Sequence, residues 1–354
     1  MPAPDIRHIL RAKLEYRLAA FGWSRLKYLF PILLLLSGAI GAWASETISL
    51  ALPIKCQLGV SCFVQNYVDH DVSDRVRDYA CGRRSYDGHD GTDIRIRNQE
   101  IQKQGVAVLA AAPGRVIGMR NDMDDVSIRT AGKASIAGKE CGNGALIKHD
   151  DDWATQYCHL AKGSVRLKVG DAATTGQPIG LVGLSGDTEF FHLHFAVRYR
   201  GKAVDPFAYG AAENSCGGGR SLWATSLAEQ MQYRPREVID FGFAALAPTM
   251  EQVESGEVDK HPVTPGSDAF VAYVRVIGLQ AGDQQSLAVQ GPAGAFVTNN
   301  LPALDRDKAQ FLVIAGKKRT EAAWPVGRYI AMYRVTRDGS EVLRKTFDVE
   351  ARPR

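Results

Sequence analysis

Residues Phe191-His192-Leu193-His194-Phe195 set two histidines one residue apart inside an apolar run. Side chains alternate faces along a strand, so His192 and His194 share a face and Leu193 takes the other. Two imidazoles on a half-buried face are costly unless something engages them. Upstream, His89-Asp90-Gly91-Thr92-Asp93 places a histidine and an aspartate four residues apart, and Tyr157-Cys158-His159-Leu160 supplies one more imidazole between the two motifs. The set reads as a metal site with further histidines beside it.

A catalytic zinc takes three protein ligands and keeps a fourth position for water, whose pKa it lowers from 15.7 to about 7. His89, Asp93 and His194 would supply two neutral nitrogens and one carboxylate, with Gly91 letting the backbone approach closely. His159 and His192 are then left to handle protons and developing negative charge. The chain has no H-E-x-x-H helix to offer a glutamate base, and histidine, with an unperturbed pKa of about 6.5, suits that task. By simple alternation His159 shares a face with Tyr157, and Cys158 points into the other layer.

These residues have to be positioned by strands. Thr92–Ile96 alternates polar and apolar, Val106–Ala111 is an apolar run ending at the Pro113-Gly114 turn signal, and Gln177–Gly183 and Phe191–Val197 add further strands. Ala145–Lys148 and Trp153–His159 flank the polar turn His149–Asp152 as a β-hairpin. His149, among three aspartates, reads as part of a solvated turn. No long helix-period segment appears between Cys81 and Tyr209. Ser221–Gln232 reads as a short helix capped by Ser221, and Pro248–Pro265 as a loop. Beyond Phe270 strand patterning resumes, and Asp338-Gly339 marks a tight hairpin between Tyr329–Arg337 and Glu341–Val349.

The N-terminus reads as a targeting segment. Six basic residues precede an apolar run from Tyr28 to Ala44 that ends in Ala42-Trp43-Ala44, the pattern of a secretory signal cleaved after Ala44. An uncleaved anchor over 28–44 is the alternative, although about 17 residues fall short of the ~20 that span a bilayer. Removing 1–44 takes six of the 43 basic and two of the 39 acidic residues, leaving 37 of each. The near-neutral mature chain gives no argument for nucleic acid. All six cysteines lie after the leader, and an even count in an exported chain implies disulfides, with Cys56–Cys62 the simplest pair by proximity. His8, His70 and His261 have no partners in sequence and read as incidental.

The expected organisation is a signal peptide at 1–44, an N-terminal segment at 45–80, a catalytic domain at 81–210, a linker with a short helix at 211–235, and a small β-sandwich at 236–354. The fold class is mostly β. Trp324–Tyr329 resembles the closing strand of immunoglobulin-like modules.

The motifs together resemble the lysostaphin-type, M23 or LytM-like, zinc metallopeptidases. The resemblance covers about residues 85–207: H-x-x-x-D at His89–Asp93, G-x-V at Gly114–Val116, Y-x-H-L at Tyr157–Leu160, G-x-P-I-G at Gly176–Gly180, H-L-H-F at His192–Phe195 and D-P at Asp205–Pro206. It implies one zinc per chain on His89, Asp93 and His194, with His159 and His192 catalytic; which of the two is the base stays open, with a slight preference for His192. It implies a β-sheet peptidase domain with an open groove, acting on peptide cross-links of peptidoglycan in the periplasm or outside the cell. Contact with a membrane is expected only through an uncleaved leader. The complete set argues against the degenerate members of the family, which lose ligands and serve as amidase activators. A non-catalytic cell-wall-binding or amidase-activating module, and a zinc peptidase acting on a protein, stand as the alternatives. Two departures are visible. Asp187-Thr188-Glu189-Phe190-Phe191 replaces the small Gly- or Pro-containing turn common before H-L-H, and Asn121–Glu140 reads as an inserted loop.

Overall fold

The structure, a computed structural model, describes residues 47–212 and 214–353. The expected leader and the alternative anchor over 28–44 lie outside the described residues, as does His8. The first ten strands are β1 (Cys62–Asn66), β2 (Thr92–Ile96), β3 (Ala107–Leu109), β4 (Gly114–Arg120), β5 (Asn143–Lys148), β6 (Trp153–Leu160), β7 (Ala172–Ala173), β8 (Pro178–Leu181), β9 (His192–Tyr199) and β10 (Lys202–Val204). Eight of them form one antiparallel sheet in the order β1-β2-β9-β6-β5-β4-β7, with β10 also paired to β9. β3 and β8 pair separately.

One face of the sheet carries the core. Ile94, Ile96, Tyr157, Leu193, Phe195 and Val197 pack there with Val108 and Ile179 of the small sheet. Fully burying each large apolar side chain stabilises the fold by about 1.5–3 kcal/mol. The same core takes in Leu50, Ile54, Leu58 and Tyr67 from one side and Leu222, Trp223 and Met231 from the other. The opposite face carries Asp93, His194 and their neighbours. The register sets Asp93 opposite His194 and Arg95 opposite His192, so all four share that face.

The remaining strands are β11 (Glu237–Ala244), β12 (Ala269–Leu279), β13 (Gln284–Gly291), β14 (Gly294–Asn300), β15 (Lys308–Lys318), β16 (Gly327–Arg337) and β17 (Ser340–Ala351). They form two sheets, β11-β12-β15 and β14-β13-β16-β17, packed as a C-terminal β-sandwich. Phe270 stacks on Tyr329 with ring centroids 4.0 Å apart, and Val274, Leu287 and Tyr333 fill the space around them. The β16–β17 turn is Asp338-Gly339, both residues with positive φ as a type I′ turn requires.

Two expected elements are corrected. Ser221–Gln232 is not a helix; only a 3-10 turn at Thr225–Leu227 forms. Leu222 and Trp223 are buried in the core, and their stretch is held extended against Leu50, whose N–H donates to Leu222 O at 2.8 Å and whose carbonyl accepts from Ala224. Conversely, Pro248–Pro265 is not a plain loop. It contains the helix α1 (Met250–Ser255), opened by a capping box in which Thr249 accepts from Gln252 N–H and Gln252 returns a bond to Thr249 N–H. Gly256, in the left-handed conformation, ends it.

The sandwich meets the large sheet through polar contacts around a small apolar cluster of Phe63, Ile239 and Ile277. Gln65 donates to Ala309 O at 3.1 Å, Arg275, paired with Glu254 of its own sandwich at 2.7 Å, donates to Arg97 O at 3.2 Å, and Arg95, which also donates to Gln65 at 2.7 Å, reaches Gln310 at 3.5 Å. The Arg84 guanidinium bonds the carbonyls of Val64 and Arg234. All six cysteines are paired, as Cys56–Cys62, Cys81–Cys216 and Cys141–Cys158.

Candidate metal centre and its groove

His89 closes the loop that leads into β2. Its Nδ1 lies 2.6 Å from Tyr67 O, so the proton belongs on Nδ1 and Nε2 is free to act as a ligand. That Nε2 stands 3.2 Å from Asp93 Oδ1 and 3.2 Å from His194 Nδ1, and His194 Nδ1 is 2.9 Å from Asp93 Oδ1. The three ligand atoms lie within 4.8 Å of one another, close enough to hold one metal ion. Asn66, at the end of β1, donates to Asp93 Oδ2 at 3.0 Å and orients the carboxylate. Gly91 completes the cradle: a Cβ there would come within 2.6 Å of the His194 ring. Two imidazoles and a carboxylate, each with its second polar atom engaged, form a donor set that suits zinc.

Burial opposes charge on these groups, and their mutual contacts override it. Asp93 is held well below the usual carboxylate range by the surrounding imidazoles. Burial lowers the His194 pKa, but the Asp90 and Asp93 carboxylates lift it to about 9.

His192 lies beside His194 on the same face. Its Nδ1 is 2.9 Å from Phe190 O, and Phe190 stacks on its ring at 4.4 Å. His159 stands 4.7 Å from His192, ring centroid to centroid, with Nδ1 2.8 Å from Ser185 O. Burial, then the neighbouring imidazoles, push the His159 pKa well below its ordinary value and hold the ring neutral.

The expected facing of His159 and Cys158 is corrected. The register sets Cys158 opposite His194 and Tyr157 opposite Phe195, so Cys158 faces the groove and Tyr157 faces the core. Regular alternation would bury His159 with Tyr157. Instead β5 and β6 shift register between Asn143 and Ala145, and His159 adopts φ 64°, which turns its ring into the groove. The His159 N–H donates to Cys141 O at 2.8 Å, and the Cys141–Cys158 disulfide ties the two segments together.

Asp93, His159, His192 and His194 line a groove of about 660 Å³, with His89 buried behind them. The Asp187–Phe191 turn and the inserted segment form part of its wall, with Ile128, Lys133 and Glu140 from the insert and Asp187, Glu189 and Phe190 from the turn. An Arg129–Glu189 ion pair of 2.6 Å and an Ile128 N–H to Thr188 O bond of 2.9 Å join the two.

Two histidines set aside in the sequence have structural partners. His149 is not solvated but 7% exposed; Nδ1 bonds Pro113 O at 2.6 Å and Nε2 bonds Thr155 Oγ1 at 2.8 Å, continuing to the Tyr157 hydroxyl. His70 is not incidental: Nε2 pairs with Asp205 at 2.8 Å, and Nδ1 bonds Ser215 O at 3.1 Å. His261 is exposed. Asn66, Asp90, Tyr67 O and Ser185 O carry no motif signal of their own and were not read from the sequence.

The model of peptidase family M23 matches residues 87–206. Lipoprotein NlpD of Yersinia enterocolitica is 32% identical over 106 residues, which are 30% of this chain and 91% of that relative. The chain belongs to peptidase family M23. Other relatives are longer. Outer membrane antigenic lipoprotein B of Haemophilus influenzae is 34% identical over 123 residues, and the murein hydrolase activator NlpD of Escherichia coli is 32% identical over 122. Each match covers 34% of this chain and 26% of the relative, so the chain spans about a quarter of their length. Among solved structures, a zinc containing peptidase from Vibrio cholerae aligns with TM-score 0.26 and 25% identity over 41% of this chain and 39% of that one. The catalytic domain of lysostaphin from Staphylococcus simulans aligns with TM-score 0.26 and 20% identity over 40% and 85%.

Proposed function

We propose that the mature chain is an exported zinc endopeptidase that hydrolyses peptide cross-links of bacterial peptidoglycan, in the periplasm or outside the cell. The observation that carries this reading is the convergence of His89 Nε2, Asp93 Oδ1 and His194 Nδ1 on one point, with His159 and His192 on the same groove wall. When held by those three, zinc supplies a Lewis acid that acidifies water and polarises a carbonyl.

The chain's own groups do the rest. His159 takes a proton at Nε2, because Nδ1 is committed to Ser185 O and burial keeps the ring neutral. The His192 Nε2 edge stands 3.4 Å from Asp93 Oδ1, an acceptor that calls for a proton on that nitrogen and so suits it to donate rather than to accept. Geometry therefore favours His159 as base and His192 as the group that meets the oxygen gaining negative charge, the reverse of the sequence preference. The walls formed by Phe190 and the insert would hold the peptide extended along the sheet face.

The test is incubation of the mature protein with purified sacculi and mass spectrometry of the released fragments. New amino and carboxyl termini within cross-links are expected, and none with His159→Ala. A second reading is supported by the Escherichia coli relative, a murein hydrolase activator. Under that reading fragments appear only when an amidase is added, and they carry amidase termini.

We further propose the division at 81–210, 211–235 and 236–354, with the sandwich positioning substrate. Leu222, Trp223 and Met231 fill the peptidase core, so a truncation that tests it has to end near Arg236. That truncation should cleave soluble muropeptides at close to the full-length rate and act poorly on sacculi. Equal activity on both would leave the sandwich without a positioning role.

A further inference from the structure

This inference rests on the zinc reading above and concerns a residue outside the ligand set. Asp90 lies between His89 and Gly91, with its side chain 43% exposed. Its Oδ1 stands 3.3 Å from His194 Nε2, the ring nitrogen that faces away from His89 and Asp93. Its Oδ2 is 2.8 Å from Arg198 Nη2. Arg198 shares the groove face with His194, four residues along β9, and Gln156 Oε1 on β6 accepts from its Nε at 3.3 Å and Nη2 at 3.1 Å. Gln156, Arg198, Asp90 and His194 thus form one polar chain from the neighbouring strand to the back of a ligand ring. The Gly91 position leaves no room for a Cβ beside that ring, so the imidazole is enclosed on that side.

An exposed aspartate–arginine pair by itself contributes little to stability. Its geometry here has a chemical consequence instead. An imidazole that ligates a metal through Nδ1 must carry its proton on Nε2, and a carboxylate at Nε2 selects that tautomer and makes Nδ1 a stronger donor. We propose that Asp90, held in place by Arg198, is a positioning residue that fixes the tautomer and orientation of His194 and sets the affinity of the centre for zinc.

The experiment measures zinc affinity of the mature full-length protein by competition with a chromophoric chelator. Asp90→Ala should weaken binding about 10–100-fold, the usual cost of losing such an outer partner. Asp90→Asn keeps an acceptor oxygen without the charge and should fall between Asp90→Ala and the natural protein. Arg198→Gln, which frees the carboxylate to swing away, should weaken binding less than Asp90→Ala. The exposure of Asp90 makes folded variants the expectation, and Asp90→Asn, nearly isosteric, keeps the test decisive if Asp90→Ala does not fold. Affinities of Asp90→Ala and Asp90→Asn within threefold of the natural protein would overturn the proposal while leaving the zinc reading intact. Failure of the natural protein itself to bind zinc would overturn that reading instead.

Discussion

Both the groove and the junction with the sandwich bury ionisable side chains, and they do so in opposite ways. At the junction the cations meet acceptors already built into it, and Gln310 and Glu254 face both arginines. Arg275, 1% exposed, is held by Glu254, Gln310 and Arg97 O, and Arg95, 3% exposed, by Gln65. In the groove, His89, Asp93 and His194 turn their ligand atoms toward one another, and each uses its second polar atom on an outside partner: Tyr67 O, Asn66 and Asp90. Burial that is complementary within itself serves packing. Burial that aims several lone pairs at one point is arranged for a cation.

Substitutions at the two places should therefore separate metal from stability. His194→Ala should abolish tight zinc binding, taking elemental analysis from about one zinc per chain to none and activity with it. Zinc retained at stoichiometry would remove His194 from the ligand set. His159→Ala and His192→Ala should keep the metal and lose about 10²–10⁴-fold in activity. Metal loss in either would break the division between ligands and proton-handling groups.

Replacing the disulfide with Cys141→Ser and Cys158→Ser should also keep zinc but lower activity by about 10²-fold, because a displacement of about 1 Å at a catalytic group has that cost. Unchanged turnover would mean that the register shift alone seats His159. At the junction, Arg275→Ala should leave zinc stoichiometry untouched and destabilise the fold by up to about 3 kcal/mol in denaturant titration, the lower end for breaking a buried pair because Glu254 stays partly exposed. Zinc loss in Arg275→Ala would couple the two regions that the comparison holds apart.

The smallest effects are pH-dependent and of opposite sign. The hydrogen bond to Asp205 raises the His70 pKa above 6.5. Its contribution is full below pH 6.5 and is lost as pH rises through the raised value. Burial lowers His149 below 6.5, so its contribution is full above pH 6.5 and is lost as pH falls through the lowered value. Melting temperatures across pH should show His70→Gln most destabilised in acid and His149→Gln most destabilised above neutrality. Parallel curves for both variants would show that neither proton is linked to folding.

The sequence disclosed the site by residue type. His89, Asp93, His159, His192 and His194 stood out because imidazoles at those spacings have few structural uses, and the β9 alternation placed two of them on one face. Backbone geometry was hidden. Alternation put His159 in the core, and only the register shift and its left-handed φ bring it out. Tyr67 O and Ser185 O fix two imidazoles, but a carbonyl has no residue type to read. The partners of His70 and His149 come from Asp205 and Pro113, distant in sequence. The Asp338-Gly339 hairpin was legible because a two-residue turn is local, and the Thr249–Gln252 capping box was equally local but was passed over among prolines. The junction could not be read at all, since nothing local marks which face of a strand meets another sheet.

Under the proposed function, the bond between Cys141 and Cys158 would decide when the molecule becomes dangerous to its maker. Every candidate ligand is present as soon as the chain is synthesised, but the segment that seats His159 is secured only once those two thiols have been oxidised. In a reducing interior that cross-link does not persist. On the proposed export, a newly made chain would carry a misaligned centre, and most of its cutting power would arrive only once it had left the cytoplasm.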